Sequence, residues 1–421
     1  MKMIRSFACL VSVFAIGFGT ASADQIYFGH ADGFIELRDE FDLLQEIELP
    51  GTSSGWISFG SIEAITALEA SADNLIIGTR HGTVHVRAHT NLNDNIPNGF
   101  AAFTIGVTEQ IADLSLRSDG RVHLVGPNGG QGQIWARQET NMGASGIPGD
   151  GGVPTGSGSP LLSVASLSND DAAIGSSAGE VNVLSSTNLG QEVTTGQVVF
   201  GEPINAITIA SGDRVVVGTG TSGIVSVRQG PDLTADLGSV TFGSPVRSLA
   251  TLLNGNVAIG LANGEVHVRD PNSITNDLSN SGQFNLKPIL SLAVTSSGNL
   301  VIADGNGGGN SQVYIRDPNN VTALPSGVNP AGDGVVLVSG ADIQAVAVIP
   351  EPPELSIMLS APGQVTISWA PDDPGWTLQD TTALQPPGRI HQSGRCARKR
   401  PGGVLSPDSA VIRMRGDRRV S

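Results

Sequence analysis

A short pattern recurs seven times along this chain: a strand ends at a small residue, the backbone turns, and an alternating strand follows that usually ends in arginine. The seven small residues are Gly29, Gly78, Gly126, Gly175, Gly218, Gly260 and Ala303. The intervals between them are 49, 48, 49, 43, 42 and 43 residues. A period of that length is typical of four-stranded propeller blades and is too long for solenoid coils or ankyrin-type units. The repeat therefore predicts an all-β, seven-bladed β-propeller.

Each repeat divides into four short strands by the alternation of apolar and polar side chains. A Phe-Gly pair marks the end of the fourth strand in several repeats, at Phe59, Phe200 and Phe242. Only 4% of the residues are aromatic, whereas 55 are glycine, and this composition suits short strands joined by tight turns better than helices. The pattern therefore predicts four-stranded blades throughout the repeat region.

The two ends of the repeat region are incomplete in complementary ways. Residues 25–29 form a strand of the second type with no first strand before it, and residues 343–348 form a strand of the first type with no second strand after it. Pairing the two completes one blade from both ends of the region and removes two exposed sheet edges. We therefore predict a closed ring, sealed by the N-terminal and C-terminal strands in one shared blade.

The first 23 residues have the features of a secretory signal peptide. Lys2 and Arg5 form a basic start, residues 7–18 form an apolar core, and residues 21–23 form a small-residue cleavage site. Because the apolar run is shorter than the ~20 residues of a spanning helix, we expect cleavage before Asp24 and no membrane insertion afterwards. The sequence thus predicts a secreted or periplasmic protein.

The chain is strongly acidic, with a formal net charge of −16. Between residues 24 and 388 it holds one lysine and eleven arginines against 37 acidic residues. Nucleic acids and anionic membranes require a basic surface, so the composition argues against both as partners. Cys9 lies in the predicted signal peptide, which leaves Cys396 as the one thiol of the mature chain and excludes an internal disulfide.

The third strands carry a resemblance to a known superfamily. Residues 266–270 read Val-His-Val-Arg-Asp and residues 313–317 read Val-Tyr-Ile-Arg-Asp, where a WD40 repeat ends in Val-x-Val-Trp-Asp. Over residues 24–350 the chain resembles the WD40 and YVTN-like seven-bladed propellers of secreted bacterial proteins. Arginine replaces the WD40 tryptophan, so the resemblance implies the fold and does not imply the family's hydrogen-bonded network or a particular function.

A different composition begins after the repeats. Prolines in residues 350–353 indicate a domain boundary. Residues 363–369 and 374–379 are similar to the start of fibronectin-III-like modules, which implies a short β-rich appendage over residues 351–388. Residues 389–421 hold nine basic and two acidic side chains with almost no alternation, and they are predicted to form a disordered tail.

Six arginines occupy the equivalent end of a third strand: Arg38, Arg87, Arg137, Arg228, Arg269 and Arg316. A functional interpretation is a ring of guanidinium groups that binds carboxylates or sulfated glycans. A structural interpretation is that each arginine pairs with a neighbouring acid such as Asp39, Asp270 or Asp317 and holds the following turn. We favour the structural interpretation, because repeated positions in propellers usually serve the blade.

Irregular positions of the repeat are the better candidates for a binding site. The loops between second and third strands carry these polar residues in the first, second and seventh blades: His30, Asp32, Arg80, His81, Asp304, Asn306 and Asn310. Ring closure makes those blades neighbours, so their side chains are predicted to converge at one sector of the channel mouth. The alternative is that they are solvated turn residues.

No catalytic or metal-binding motif stands out, and the sequence predicts no catalytic residue, metal or cofactor. It lacks a Gly-x-Ser-x-Gly elbow, a phosphate-binding glycine loop, a His-Glu-x-x-His motif and a paired-cysteine site. We therefore predict an exported, non-enzymatic platform that binds a protein or glycan. The alternatives are a propeller hydrolase or carbohydrate-active enzyme that uses His30, His81 and nearby acids, and a surface-layer or matrix component.

Overall fold

The computed structural model describes most of the repeat region and four short segments after it. The described residues are 24–49, 56–59, 63–103, 110–144, 146–152, 158–193, 198–278, 282–283, 287–305, 309–337, 341–349, 354–361, 364–370, 379–381 and 411–413. The predicted signal peptide lies outside them. The chain divides into two compact units, of which one is Asp24–Pro352.

Seven antiparallel sheets form seven blades around a central channel, which confirms the predicted fold. Blade 1 contains Ile343–Ile349, Gln25–His30, Phe34–Asp39 and Trp56–Ser58. Blade 2 contains Ile65–Ala70, Asn74–Thr79, Thr83–Ala88 and Phe100–Ala102. Blade 3 contains Asp113–Leu116, Arg121–Asn128 and Gln131–Gln138, and Gly152 forms a bridge to Ile134 at its outer edge.

The other four blades follow in chain order. Blade 4 contains Leu161–Ser166, Ala172–Ser176 and Glu180–Ser185, followed by Asn188–Glu192 and Val198–Val199. Blade 5 contains Ile204–Ala210, Arg214–Thr219, Ile224–Gln229 and Asp236–Thr241. Blade 6 contains Val246–Thr251, Val257–Leu261 and Glu265–Asp270, followed by Ser273–Asp277 and Gly282–Gln283. Blade 7 contains Ile289–Val294, Leu300–Asp304, Gln312–Arg316 and Val335–Val336, with a 3-10 turn at Pro330–Gly332.

The ring closes as the sequence predicts. Strand Ile343–Ile349 pairs antiparallel with Gln25–His30, and Tyr27 lies opposite Ala347 in that register. The innermost strand of blade 1 is thus supplied from the far end of the repeat region. We call the face that carries the turns between second and third strands the upper face, and the face that carries the turns between first and second strands the lower face.

The hydrophobic core lies between blades. Within the described part of the chain, seven clusters of buried apolar side chains are found, and each joins two consecutive blades. The cluster between blades 7 and 1, for example, joins Val301 and Val313 to Ile26 and Phe28. A single blade therefore buries its apolar surface only against its neighbours, as expected for a repeat architecture.

The small residues of the repeat are explained by the same packing. A Cβ atom on Gly218 would lie 2.5 Å from Cγ1 of Val246, and one on Gly260 would lie 2.6 Å from Cγ2 of Ile289, in each case the first residue of the next blade. Real Cβ atoms do not approach that closely, so the position requires glycine or a very small residue. Each blade thus presents a socket to a β-branched side chain of the next one.

Blade 3 departs from this rule, and our assignment of Gly126 as its small residue is wrong. Asp113 pairs with Val125 in blade 3 as Ala67 pairs with Gly78 in blade 2, so Val125 occupies the socket position. The facing residue of blade 4 is Leu161, which lies in the same apolar cluster as Val125. Leucine has no branch at Cβ, which leaves room for a larger residue in the socket.

On the lower face, three blades are joined to the next by a serine that binds an aspartate. Ser118 donates from its backbone N and its Oγ to Asp170, at 2.7 and 2.8 Å. Ser168 does the same to Asp213, at 2.9 and 2.6 Å. Ser296 of blade 7 makes the equivalent pair of bonds to Asp24, with 2.7 Å between Oγ and Oδ1. We call these pairs the serine clasps, and the third of them joins the two ends of the ring.

Two antiparallel strand pairs are described after the propeller. Glu354–Ala361 pairs antiparallel with Gln364–Ala370, and Gln379–Thr381 pairs with Val411–Arg413. The other residues of the predicted fibronectin-III-like segment and of the predicted tail lie outside the described residues. In the portion of the chain that the structure covers, no helix is long and apolar enough to cross a membrane.

The socket contacts predict a specific loss of stability. In Gly260→Ala, the new methyl group meets Cγ2 of Ile289 at 2.6 Å, and overpacking of this kind costs about 1–3 kcal/mol of unfolding free energy. Urea unfolding of the single variants and of Gly260→Ala with Ile289→Ala gives a double-mutant cycle. We expect a smaller loss in the Ile289→Ala background, and an equal loss there would contradict the socket.

Gly143→Ala is the matched control for that cycle. A Cβ atom at Gly143 would meet no atom within 4 Å, so we expect its unfolding free energy to be unchanged.

Candidate functional site

Loops of blades 1, 2 and 7 meet at one depression on the upper face, which we call the upper depression. It has a volume of about 450 Å³, and its wall includes Asp32 from blade 1, Arg80 from blade 2 and Gly309 from blade 7. Asp342 and Gln344, at the start of the first strand of blade 1, complete that wall. Blades 7 and 1 are neighbours only because the ring closes, so ring closure brings these loops to a single concave surface.

Arg80 is positioned by a tight turn after strand Asn74–Thr79. Its backbone N donates to the carbonyl of Ala64 at 2.9 Å, and Gly82 closes the turn with a φ of +67°. The Arg80 side chain is exposed and makes no hydrogen bond or ion pair with the part of the chain that is described. A guanidinium group in this state is available to an external carboxylate or sulfate.

The acids of the upper depression differ in how they are held. Asp32 is half-buried, and its Oδ1 lies 3.4 Å from the backbone N of Phe34. Asp342 is buried, and its Oδ1 accepts a hydrogen bond from Ser311 Oγ at 3.2 Å. Asp32 is therefore the carboxylate that a ligand can reach more easily.

His30 does not line the upper depression. The side chain is fully buried, with Nδ1 at 3.4 Å from the carbonyl of Ala341 and Nε2 at 3.5 Å from Oε1 of Glu36. The other carboxylate oxygen of Glu36 binds Nη2 of Arg38 at 2.8 Å. Burial lowers the pKa of His30 despite the neighbouring Glu36 carboxylate. His30, Glu36 and Arg38 therefore form a buried polar network.

Of the remaining predicted site residues, His81, Asp304 and Asn310 do not line the upper depression. Nδ1 of His81 lies 3.8 Å from Oε2 of Glu63. Asp304 is buried and accepts from the backbone N of Gln312 at 2.7 Å, and burial raises its pKa. The carbonyl of Asn310 accepts a hydrogen bond from Nζ of Lys287. Asn306 lies outside the described residues.

The third-strand arginines bind groups of their own blades. Their carboxylate partners are Glu36 for Arg38 at 2.8 Å, Asp150 for Arg137 at 2.7 Å, Asp236 for Arg228 at 3.0 Å, Asp277 for Arg269 at 3.1 Å and Asp333 for Arg316 at 3.0 Å. Arg87 instead donates to the carbonyls of Leu92 and Asn93. The acids suggested by the sequence are not the partners, because Asp39, Asp270 and Asp317 accept backbone N–H groups two residues further on, each at 2.8 Å.

Three of these arginines also contact the preceding blade. The guanidinium carbons of Arg87, Arg137 and Arg269 lie 4.4, 5.3 and 5.3 Å from the ring centroids of Phe59, Phe103 and Phe242. Two of those phenylalanines belong to the Phe-Gly pairs that end a fourth strand. The cation-π geometry explains why phenylalanine and arginine recur together in the repeat.

A second cavity, of about 340 Å³, fills the central channel and is lined by all seven first strands. Six of these strands contain a β-bulge, and the extra residues are Thr66, Leu162, Asn205, Arg247, Leu290 and Gln344. The corresponding residue of blade 3 is Ala112, and all seven line the channel. We call this ring of seven residues the bulge ring. A β-bulge changes the direction of a side chain. In this protein the bulged positions line the channel, and the residue type at this position differs from blade to blade.

Among the described residues, two carboxyl groups and one guanidinium group line the channel: Glu69, Asp113 and Arg247. Asp113 accepts backbone N–H groups from Leu114 and Val164, both at 2.9 Å. Burial raises the pKa of Asp113 to about 7 in spite of these bonds. Burial and then the charge of Asp113 raise the pKa of Glu69 to about 8. Both carboxyl groups are therefore partly protonated near neutral pH.

Sequence reasoning missed these channel residues. Arg247 is the second residue of its first strand, and the same position holds Thr66, Asn205 and Gln344 in other blades. That variability within an otherwise regular strand is the signal that marks the position. The bulge itself leaves no separate trace in the alternation of apolar residues.

Comparisons with known proteins find similar solved structures at low sequence identity. No family model matches the chain, and no curated protein matches it. Similar solved structures include a computationally designed protein named Ika8 (19% identity, 70% of this chain and 97% of that chain, TM-score 0.48) and the WD40 β-propeller domain of Doa1 (11% identity, 68% and 91%, TM-score 0.47). A third is a structure of the mitotic checkpoint complex (11% identity, 72% and 96%, TM-score 0.49).

The raised pKa of Glu69 predicts how stability depends on pH. Unfolding lets this carboxyl ionise at its usual pKa of 4.5 rather than about 8, so the folded state loses stability as pH rises between those values. In Glu69→Gln this loss is absent, and we expect its Tm to exceed that of the unchanged protein increasingly from pH 5 to pH 8. The two proteins should melt alike at pH 4.

Differential scanning calorimetry across that pH range tests the expectation. Glu192→Gln, on an exposed outer strand, serves as the control and should follow the unchanged protein. Parallel Tm curves for Glu69→Gln and the unchanged protein would show that the channel does not perturb this group.

Proposed function

We propose that this chain is exported and acts as a non-enzymatic platform that binds a protein or glycan ligand at the upper depression. Propeller folds commonly serve as interaction platforms, and irregular loops on one face of a rigid scaffold are where such ligands bind. The observation that carries the proposal is that Asp32 and Arg80, from loops of neighbouring blades, line one cavity. Arg80 is exposed there, with its guanidinium group unengaged by described residues.

The charge of Arg80 narrows the chemistry of the ligand. In a chain with a net charge of −16, a free guanidinium group at a concave site favours ligands that carry a carboxylate or sulfate group. The planar guanidinium group binds a carboxylate or sulfate through two parallel hydrogen bonds, which fixes the orientation of the ligand and adds affinity. The hydroxyl-rich or amide-rich remainder of the ligand then meets Asp32 and Gln344, which line the same wall.

The hydrolase alternative has less support from the geometry. It requires His30 and His81 to face a bound substrate, but neither lines the upper depression. His30 is fully buried behind the loop, which keeps it from reaching the proton of a substrate. Binding without catalysis needs only the groups that do line the cavity.

The contacts of Asp24 are compatible with export. Asp24 is the first residue after the predicted cleavage site, and it closes the ring by accepting from Ser296. The equivalent positions of blades 4 and 5 hold Asp170 and Asp213, which close their own serine clasps. Cleavage before Asp24 would therefore leave this ring-closing clasp intact.

N-terminal sequencing tests the export proposal. We expect protein recovered from the periplasm or the medium of a bacterial host to begin at Asp24. Recovery of the chain only from the cytoplasm, with residues 1–23 still attached, would contradict it.

Ligand binding is tested by thermal-shift screening of the full-length protein with sulfated and uronic oligosaccharides and with acidic peptides. A true ligand stabilises the protein by about 2.7 kcal/mol at a hundredfold excess over its Kd. For a ligand so identified, Arg80→Ala should weaken binding at least tenfold, because charge-assisted hydrogen bonds contribute about 1.5–3 kcal/mol.

Arg214→Ala is the matched control, since this arginine lies on the lower face at the start of strand Arg214–Thr219 and should not alter affinity. Equal affinity of Arg80→Ala and the unchanged protein would contradict the site. Hydrolysis of any screened oligosaccharide that is lost in His81→Ala would contradict the non-enzymatic role.

A further inference from the structure

The channel is lined by backbone as well as side chains. The first strand of every blade lies at the end of its sheet, so its inner edge is not paired with another strand. Side chains of the neighbouring blade bond some of these edge groups, among them the backbone N–H groups of Val164, Ser166 and Leu292. The N–H and C=O groups that remain along such an edge are able to bond an extended ligand. The channel cavity of about 340 Å³ lies within the size range of small-molecule sites.

The charges of the channel lie on opposite walls. Arg247 belongs to blade 6, whereas Glu69 and Asp113 belong to blades 2 and 3. In a ring of seven blades, blade 6 lies directly across from the gap between blades 2 and 3. The channel therefore presents a cation on one side and two acids on the other.

Neither the Arg247 guanidinium group nor the Asp113 carboxylate is required to build the blades. Arg247 is exposed and has no hydrogen bond or ion pair to any described residue, and its counterpart in blade 1 is the neutral Gln344. Asp113 binds the backbone N of Val164 in the next blade, but in blade 6 Ser248 makes the equivalent bond to Leu292 N at 3.0 Å. A hydroxyl group is enough for that contact, so the carboxylate adds a charge without a structural need.

We propose that the central channel binds a short unmodified peptide, with its C-terminal carboxylate at Arg247 and its N-terminal ammonium at Glu69 and Asp113. Arg247 on one wall favours a carboxylate, and the two acids across the channel favour an ammonium group once the pH passes their raised pKa values of about 8 and about 7. A short peptide carries these two groups at separate ends, whereas a free α-amino acid carries both on one carbon. The amide groups between those ends match the strand-edge N–H and C=O groups that the neighbouring blades do not bond. The channel is joined to the upper depression at Thr66 and Gln344, but neither site depends on the other.

Isothermal titration calorimetry of the full-length protein with a library of unmodified dipeptides to tetrapeptides tests this proposal, with triglycine and trialanine as the first probes. We expect binding that weakens at least tenfold when the probe is acetylated at its N-terminus, and likewise when it is amidated at its C-terminus. Arg247→Gln should remove the discrimination against the amidated probe. Glu69→Gln with Asp113→Asn should remove the discrimination against the acetylated probe.

The variants are chosen so that the fold is retained. Glutamine is the natural residue at the Arg247 position of blade 1, and asparagine at position 113 keeps an oxygen that accepts from Val164. Thermal denaturation confirms folding, and Arg80→Ala separates this site from the upper depression because it should leave tripeptide binding unchanged. No binding from the whole library, or equal binding of free and capped probes, would overturn the proposal.

Discussion

Adjacent blades approach closely because a glycine of one blade faces a β-branched side chain at the start of the next. At five interfaces an added Cβ would lie 2.4 to 2.7 Å from that side chain: Gly29 with Ile65, Gly78 with Ile111, Gly175 with Ile204, Gly218 with Val246 and Gly260 with Ile289. The buried apolar clusters lie at these same interfaces. The ring, the channel and both cavities therefore depend on contacts between blades.

Much of the fold is predictable from the sequence, since the repeat length, the period-2 alternation and the incomplete ends are all local signals. Closure by residues 25–30 and 343–349 is confirmed in the expected antiparallel pairing. The error at Gly126 arises because the identity of the socket residue depends on its partner in the next blade. Leu161 faces Val125 from 36 positions further on, and a glycine beside a longer hairpin is a misleading marker.

The site is less predictable because its geometry depends on residues far apart in the chain. The convergence of Asp32 and Arg80 follows from ring closure, and sequence reasoning can reach it. The partner of Arg316 is Asp333 rather than the adjacent Asp317, since a loop returns the more distant acid to the end of the strand. The bulges place Arg247 and Gln344 along the channel, and no alternation of apolar residues shows where a strand takes an extra residue.

The shared blade has a consequence for how this protein is made. Strand Gln25–His30 leaves the ribosome more than 300 residues before its inner partner Ile343–Ile349. During that interval the nascent chain carries an open, apolar strand edge, which is the feature that promotes intermolecular association. Completion of the toroid is thus a late event in biogenesis. Until the ring closes, association with other copies of the chain has to be prevented.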